Sequence, residues 1–399
     1  MVITLAAIIL IGGSLALVQL ESVQDIMRDQ IVNYFNTNYN GTLDIAELDG
    51  FIPFYVTVSE VVITDPVGKA LDRTLPDNAS ADTLASADSL SIGVDWTGMY
   101  RQKISINYLR LNKPYLDLKK SSDSTGNYTL VRALRKVNPP DSRDKNPGLF
   151  DIETLKNLEI IVPNVRITDG TLLIDELPGD FGSNSLPQTI RAENIQLNTF
   201  LEIRQKQRYL DIENFKVDLP DLFIEKINIT GQIFDDERFL EFNGFQLETG
   251  LSELNMTGEL DGFNVYNPEW NTQLRDANYD LSLDSTIVYT SELVDILPWL
   301  PIYNSPIYFD MNINREQKKL DISNLKIGFN ESYVSLYGII NNFLNADSLS
   351  YDLSLEEMKV WQDDLRLIQK KKPDSEFLKL TSVEGDGNIN GTTKSLIAN

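Results

Sequence analysis

No cysteine and no histidine occur among the 399 residues. Their absence excludes Ser-His-Asp and Cys-His nucleophile systems, thiol redox chemistry and nearly all zinc, copper and haem ligation. Basic residues are also scarce, with 35 Lys and Arg against 59 Asp and Glu and a net charge of −24. The resulting field repels phosphate backbones, so nucleic acid is not an expected partner. A chain free of thiols also suits an oxidising compartment. Carboxylate, Lys and Tyr chemistry remain. The carboxylate-rich spots FDDER at 234–238 and WQDDLR at 361–366 read most simply as solvated loops, because adjacent carboxylates in a polar run lack the desolvation that tunes catalytic groups. No catalytic signature is recognisable, and no metal or cofactor is expected.

What is present begins with an uncharged apolar run, VITLAAIILIGGSLALVQL at 2–20. About 20 apolar residues span a bilayer core roughly 30 Å thick. The run is longer than the usual core of a secretory leader, and no A-x-A cleavage site precedes Glu21, which favours an uncleaved anchor over a signal peptide. Beyond it, Ile26, Met27, Gln30, Ile31, Tyr34 and Phe35 recur at helical spacing, predicting an amphipathic helix to about Phe35. NTNYNGTLDIAE at 36–47 then has the ligand spacing of a calcium-binding EF-hand loop. Its first ligand is Asn36 rather than Asp, only Asp44 and Glu47 carry charge, and the β-branched FYVTVSEVVI after Pro53 leaves no exit helix. The plainer reading is a helix that ends in a turn at Asn40-Gly41 and feeds a first strand.

From residue 40 one unit keeps returning. Two apolar residues in alternation, a two-residue gap and two more in alternation occur at 56–63, 104–111, 190–197, 210–217, 240–247, 320–327 and 353–360. On a helix the four apolar positions would scatter around the axis. On a strand the two halves face the same way only if a β-bulge absorbs the extra residue. Asn194, Asn214, Gly244 and Asn324 stand where such a kink needs a left-handed residue. LDIENFKVDL, LEFNGFQLET and LDISNLKIGF run on to second alternating stretches ending at Gly231, Gly258 and Gly338, and YDLSL occurs at 279–283 and again at 351–355. These predict a mainly β protein built from degenerate hairpin repeats. Helical interruptions are expected at 127–137 and 291–300, and flexible joints at 76–89 and 138–150.

The order of apolar anchor, helix, GTLDIAELDG and VTVSEVVITDPVGKAL, followed by ADSLSIGVDWTGMYRQKISINYLRLNKPYLDL at 87–118, resembles the AsmA-like superfamily, most closely its TamB branch, the translocation and assembly module subunit. LDISNLKIGFNESYVSLYGII and the YDLSL units are similar to that family's repetitive β body. The n-region lacks the family's basic residues, and the C-terminal domain typical of TamB is not in this sequence, which is expected to be part of a longer protein.

The resemblance implies a transmembrane helix followed by an elongated, U-shaped (taco-like) antiparallel β-sheet groove. It further implies a single-pass bacterial inner-membrane protein with its bulk in the periplasm, which carries phospholipids between the inner and outer membranes. A scaffold for assembling outer-membrane β-barrel proteins, with a barrel partner of the TamA type, is the alternative. The expected organisation is an anchor and amphipathic helix over 1–40, an N-terminal β segment over 41–137, a linker over 138–150 and a repetitive groove over 151–399. The apolar members of the repeated unit are the candidate groove residues: Ile212, Phe215, Val217, Phe242, Phe245, Leu247, Ile322, Leu325 and Ile327. Periodicity alone favours a closed β-sandwich core, because an apolar strand face usually packs on protein; the resemblance points to the open groove instead. Asp211, Glu213, Lys216, Glu241, Asp321 and Lys326 are expected to face outward.

Overall fold

A computed structural model describes residues 19–51, 54–65, 83–95, 104–119, 129–134, 159–175, 189–204, 207–265, 270–294, 302–303, 305–364, 381–392 and 395–398. The fold is mainly antiparallel β. The apolar run at 2–18 and the joint at 138–150 lie outside the described residues. Among the described residues no helix is long and apolar enough to cross a membrane.

The chain divides into two compact units. The first opens with helix α1 (Glu21–Asn38), strands β1 (Thr42–Asp49), β2 (Tyr55–Thr64), β3 (Thr83–Asp95), β4 (Ile104–Asn112) and β5 (Tyr115–Leu118). The short helix α2 (Thr129–Ala133), then β6 (Glu159–Asp175) and β7 (Thr189–Arg204) follow. In the next strand, β8 (Gln207–Asp218), residues up to Ile212 group with the second unit and those from Glu213 with the first.

Helix α1 docks on β1 by polar contacts. Gln24 Nε2 donates to the Gly50 carbonyl at 3.1 Å, Arg28 donates to the Ala46 carbonyl at 2.9 Å, and Asn36 both donates to and accepts from the Leu43 backbone. The expected amphipathic stripe is therefore not the docked one: Ile26, Ile31 and Tyr34 are 57%, 44% and 59% exposed. The 36–47 segment is a helix end, a turn and a strand, with the Asn36 side chain committed to Leu43.

Two expectations for this unit need correction. Residues 83–89, assigned to a flexible joint, start the long strand β3, where Thr83 and Leu84 are 1% and 0% exposed; burial of Leu84 outweighs the Ala/Ser/Asp composition. The pairing is also not all hairpin. β5 continues against β3 the register of the Tyr108–Asn112 part of β4, beyond a shift at Gly93/Val94, and both β4 and β5 run parallel to β6. A parallel pair needs a crossover, and the segment between Leu118 and Glu159 supplies it.

The second unit is a meander of β9 (Lys226–Asp235), β10 (Phe239–Glu248), β11 (Glu253–Asp261), helix α3 (Trp270–Asp276), β12 (Asn278–Val288) and β13 (Ile307–Glu316). It continues through β14 (Lys319–Phe329), β15 (Ser332–Asn341), β16 (Ser350–Trp361), β17 (Ser382–Thr392) and β18 (Ser395–Ala398), each strand antiparallel to the next. The bulges fall where the repeated unit places them, at Phe242/Phe245, Ile322/Leu325 and Leu355/Met358. Asn194 and Gly244 take the expected left-handed backbone, with φ of 52° and 56°. Asn324 does not; its amide donates to Asp310 Oδ1 at 2.6 Å instead. On the partner strands Gly258 and Gly338, paired with Phe242 and Ile322, also have positive φ, of 152° and 141°. A Cβ on either would sit 2.2 Å from the carbonyl oxygen of Asp280 or Asp352. These glycines lie inside strands rather than ending them.

Candidate lipid-binding face

Pairing in the second unit lines the apolar residues up in rows across seven strands. Phe245, Met256, Leu283, Met311, Leu325, Leu336 and Leu355 form one continuous row. Phe242, Gly258, Leu281, Ile313, Ile322, Gly338 and Leu353 form the next. On the other side of the bulge Phe309, Ile327 and Val334 continue the face. With strands about 4.8 Å apart, seven of them make an apolar band about 29 Å wide.

None of the seven residues in the row through Met311 and Leu325 is fully buried, and Ile327 is 39% exposed. The central row of a sheet packed face to face on a second sheet is normally fully buried. Both strand ends of the face are covered: at one, Phe329 is 7% exposed and packs edge-on against Tyr303 at 5.0 Å, and at the other the β11–β12 connection closes over it. There Leu240 and Leu260 pack with Phe263 and Ala277 from the β11–β12 connection. Arg315, 3% exposed, closes the row end by donating to the Gln317 and Leu274 carbonyls and lying over the rings of Tyr279 and Phe343. Burial raises the pKa of the Tyr279 hydroxyl, and the Arg315 charge partly offsets the rise.

The opposite face is polar. Glu241, Glu259, Asp280, Asn314 and Asp321 occupy one row, in which the Asn314 amide donates to Asp280 at 3.2 Å. The bulges keep the two faces distinct along the whole of each strand, since without them every second half-strand would turn its apolar residues to this side.

Turn ends are held by one device used twice. Ser252 Oγ accepts the Tyr289 amide at 2.9 Å and donates to Glu292 at 2.5 Å. Ser332 Oγ accepts the Trp361 amide at 2.9 Å and donates to Asp364 at 2.6 Å. Glu292, 4% exposed, also accepts from Thr249 Oγ1 and from the amides of Leu251 and Ser252. Asp364, 6% exposed, also accepts from Asn330. The two acidic spots are thus largely structural rather than solvated: Asp235 is buried against Arg208 at 2.7 Å, and Asp236 binds the amides of Arg238 and Phe239.

Of the nine candidate groove residues, six come together on this face: Phe242 shares a row with Ile322, Phe245 shares one with Leu325, and Leu247 and Ile327 lie on the far side of the bulges. The other three sit on β8, with Ile212 in the second unit and Phe215 and Val217 in the first. Ile212 and Val217 are 8% and 6% exposed. Sequence reasoning missed Met256, Met311, Ile313 and Leu336, which complete the rows. Leu281, Leu283, Leu353 and Leu355 were visible in the repeated YDLSL phrase. Comparison of the chain with protein-family models, curated proteins and solved structures returns no match.

Proposed function

We propose that this chain is a membrane-anchored lipid conduit of AsmA-like type, held in a bacterial inner membrane by the apolar run at 2–20 and carrying phospholipid toward the outer membrane. In this reading the apolar face of the second unit is the floor of a U-shaped trough through the periplasm. The observation that supports it most is the seven-residue row from Phe245 to Leu355, apolar throughout and nowhere fully covered. Acyl chains exposed to water cost about 0.8 kcal/mol per CH₂, and an uninterrupted apolar band removes that cost without a chemical step. A half-bilayer is about 15 Å thick, so the band is wide enough to take whole acyl chains.

The test is photo-crosslinking in cells from single positions on the two faces. Crosslinkers at Phe245 and Leu325 are expected to capture phospholipid, and one at Glu241 is not. Capture from Glu241 alone would overturn the proposal.

A further inference from the structure

The polar side of the same sheet holds a cleft of about 730 Å³ between β12 and β16. Its floor is the row Ile287, Tyr308, Gly328 and Tyr333, with Asp310, Lys326, Ser335 and Glu357 in the row beside it. Tyr308 and Tyr333 are 48% and 36% exposed. They stand two strands apart, so their backbones are separated by about 9.6 Å, with the glycine between them in the row. Gly328 places no side chain there. Its backbone is not left-handed, and a Cβ there would make only ordinary contacts with Tyr308, at 3.5 and 3.7 Å.

The scaffold does not require this arrangement. Eighty residues earlier, the equivalent row on β9–β11 is Asn228, Glu248 and Glu253, with the Asn228 amide donating to Glu248 at 2.9 Å. The same ladder is filled there by polar side chains. The walls of the cleft carry three carboxylates against one ammonium, Lys326. Each carboxylate accepts from a neutral donor: Asp310 from Asn324 at 2.6 Å, Glu356 from Ser335 Oγ at 2.9 Å and Glu357 from the Tyr333 hydroxyl at 2.5 Å.

We propose that this cleft binds an organic ammonium group, seated over Gly328 between the faces of Tyr308 and Tyr333, with Asp310, Glu356 and Glu357 supplying the countercharge. A tyrosine ring face attracts a cation through its quadrupole. The ligand's alkyl substituents pack on Ile287 and the ring faces. The net charge of −24 draws cations to the protein and repels anions. By strand alternation the two tyrosines and the carboxylates lie on the face opposite the proposed lipid band, while Phe309, Ile327 and Val334 of that band also line the cleft.

The test is calorimetric titration of the full chain in detergent with choline chloride. The control ligand is 3,3-dimethyl-1-butanol, its neutral isostere. Choline is expected to bind roughly tenfold or more tightly than the alcohol. Tyr308→Ala and Gly328→Leu each abolish this binding while the unfolding midpoint stays near that of the parent, and Glu253→Ala in the equivalent earlier row leaves it unchanged. Free amines and lipid headgroups share the ammonium: displacement of choline by phosphatidylcholine vesicles assigns the headgroup, and undisturbed binding assigns the free amine. Absence of choline binding, equal binding of the alcohol, or full binding by a folded Gly328→Leu chain would overturn the proposal.

Discussion

The strand quartets β9–β12 and β13–β16 are two versions of one design. Their ladders superpose at an offset of 80 residues through the third strand: Phe242 pairs with Gly258 as Ile322 pairs with Gly338, and Phe245 pairs with Met256 as Leu325 pairs with Leu336. The fourth strands are offset by 72, Leu281 matching Leu353, because the β11–β12 connection is eight residues longer than the β15–β16 one. Bulge, left-handed glycine and serine–carboxylate latch recur in both. What differs is the filling. The longer connection carries α3 and seals the end of its apolar face with Phe263 and Ala277. The shorter connection leaves Leu344 48% exposed, next to a face on which Ile327 is 39% exposed. Backbone devices therefore set the two-faced ladder, and the residues hung on it decide what each stretch can bind.

The largest effect expected from breaking this comparison is at the latches. Glu292→Ala removes four hydrogen bonds where Asp364→Ala removes two. With buried unsatisfied groups costing about 1–3 kcal/mol each, and some donors reaching water, losses of about 4 and about 2 kcal/mol are expected in urea unfolding. Equal losses would mean that the two latches are not graded by their bonds. Next come Phe263→Ala and Leu344→Ala: about 3 kcal/mol for the buried ring and under about 0.5 for the exposed leucine. Gly258→Ala and Gly338→Ala should cost about the same as each other, roughly 2 kcal/mol, because the strain has one origin. A large difference between them in unfolding midpoint would break the equivalence of the quartets.

The smallest effect is a pH dependence confined to the end closed by the β11–β12 connection. The Tyr279 pKa is raised by burial, so its contribution to stability is complete below the unfolded tyrosine pKa of about 10 and is lost as pH rises through the higher folded value. Tyr279→Phe should flatten the alkaline fall in unfolding midpoint.

Much of this was legible in the sequence. The two-residue gap in each apolar repeat located the bulges at Phe242/Phe245 and Ile322/Leu325, because strand alternation tolerates no extra residue without one. Which residues take positive φ was only partly legible: Gly244 does, Asn324 does not and donates to Asp310 instead, and Gly258 and Gly338 do in both partner strands. The parallel pairing of β6 was hidden because local periodicity carries no information about a partner some fifty residues away. Half of the candidate face was likewise hidden. Met256, Met311 and Leu336 join Leu325 through register, which pairs distant segments and leaves no mark on any one of them. Asp235, Asp236 and Asp364 read in the sequence as parts of solvated loops because an acidic run looks the same whether or not its carboxylates meet an arginine, a turn amide or a serine hydroxyl.

The central claim, an apolar face open to acyl chains, is tested most directly by the absence of native cysteine. Single cysteines replacing Leu325 or its neighbour Lys326 can be labelled with an environment-sensitive fluorophore and exposed to spin-labelled stearate. The account predicts strong quenching from position 325 and little from 326, since adjacent strand residues face opposite ways. Equal quenching at both positions, or stronger quenching at 326, would contradict it.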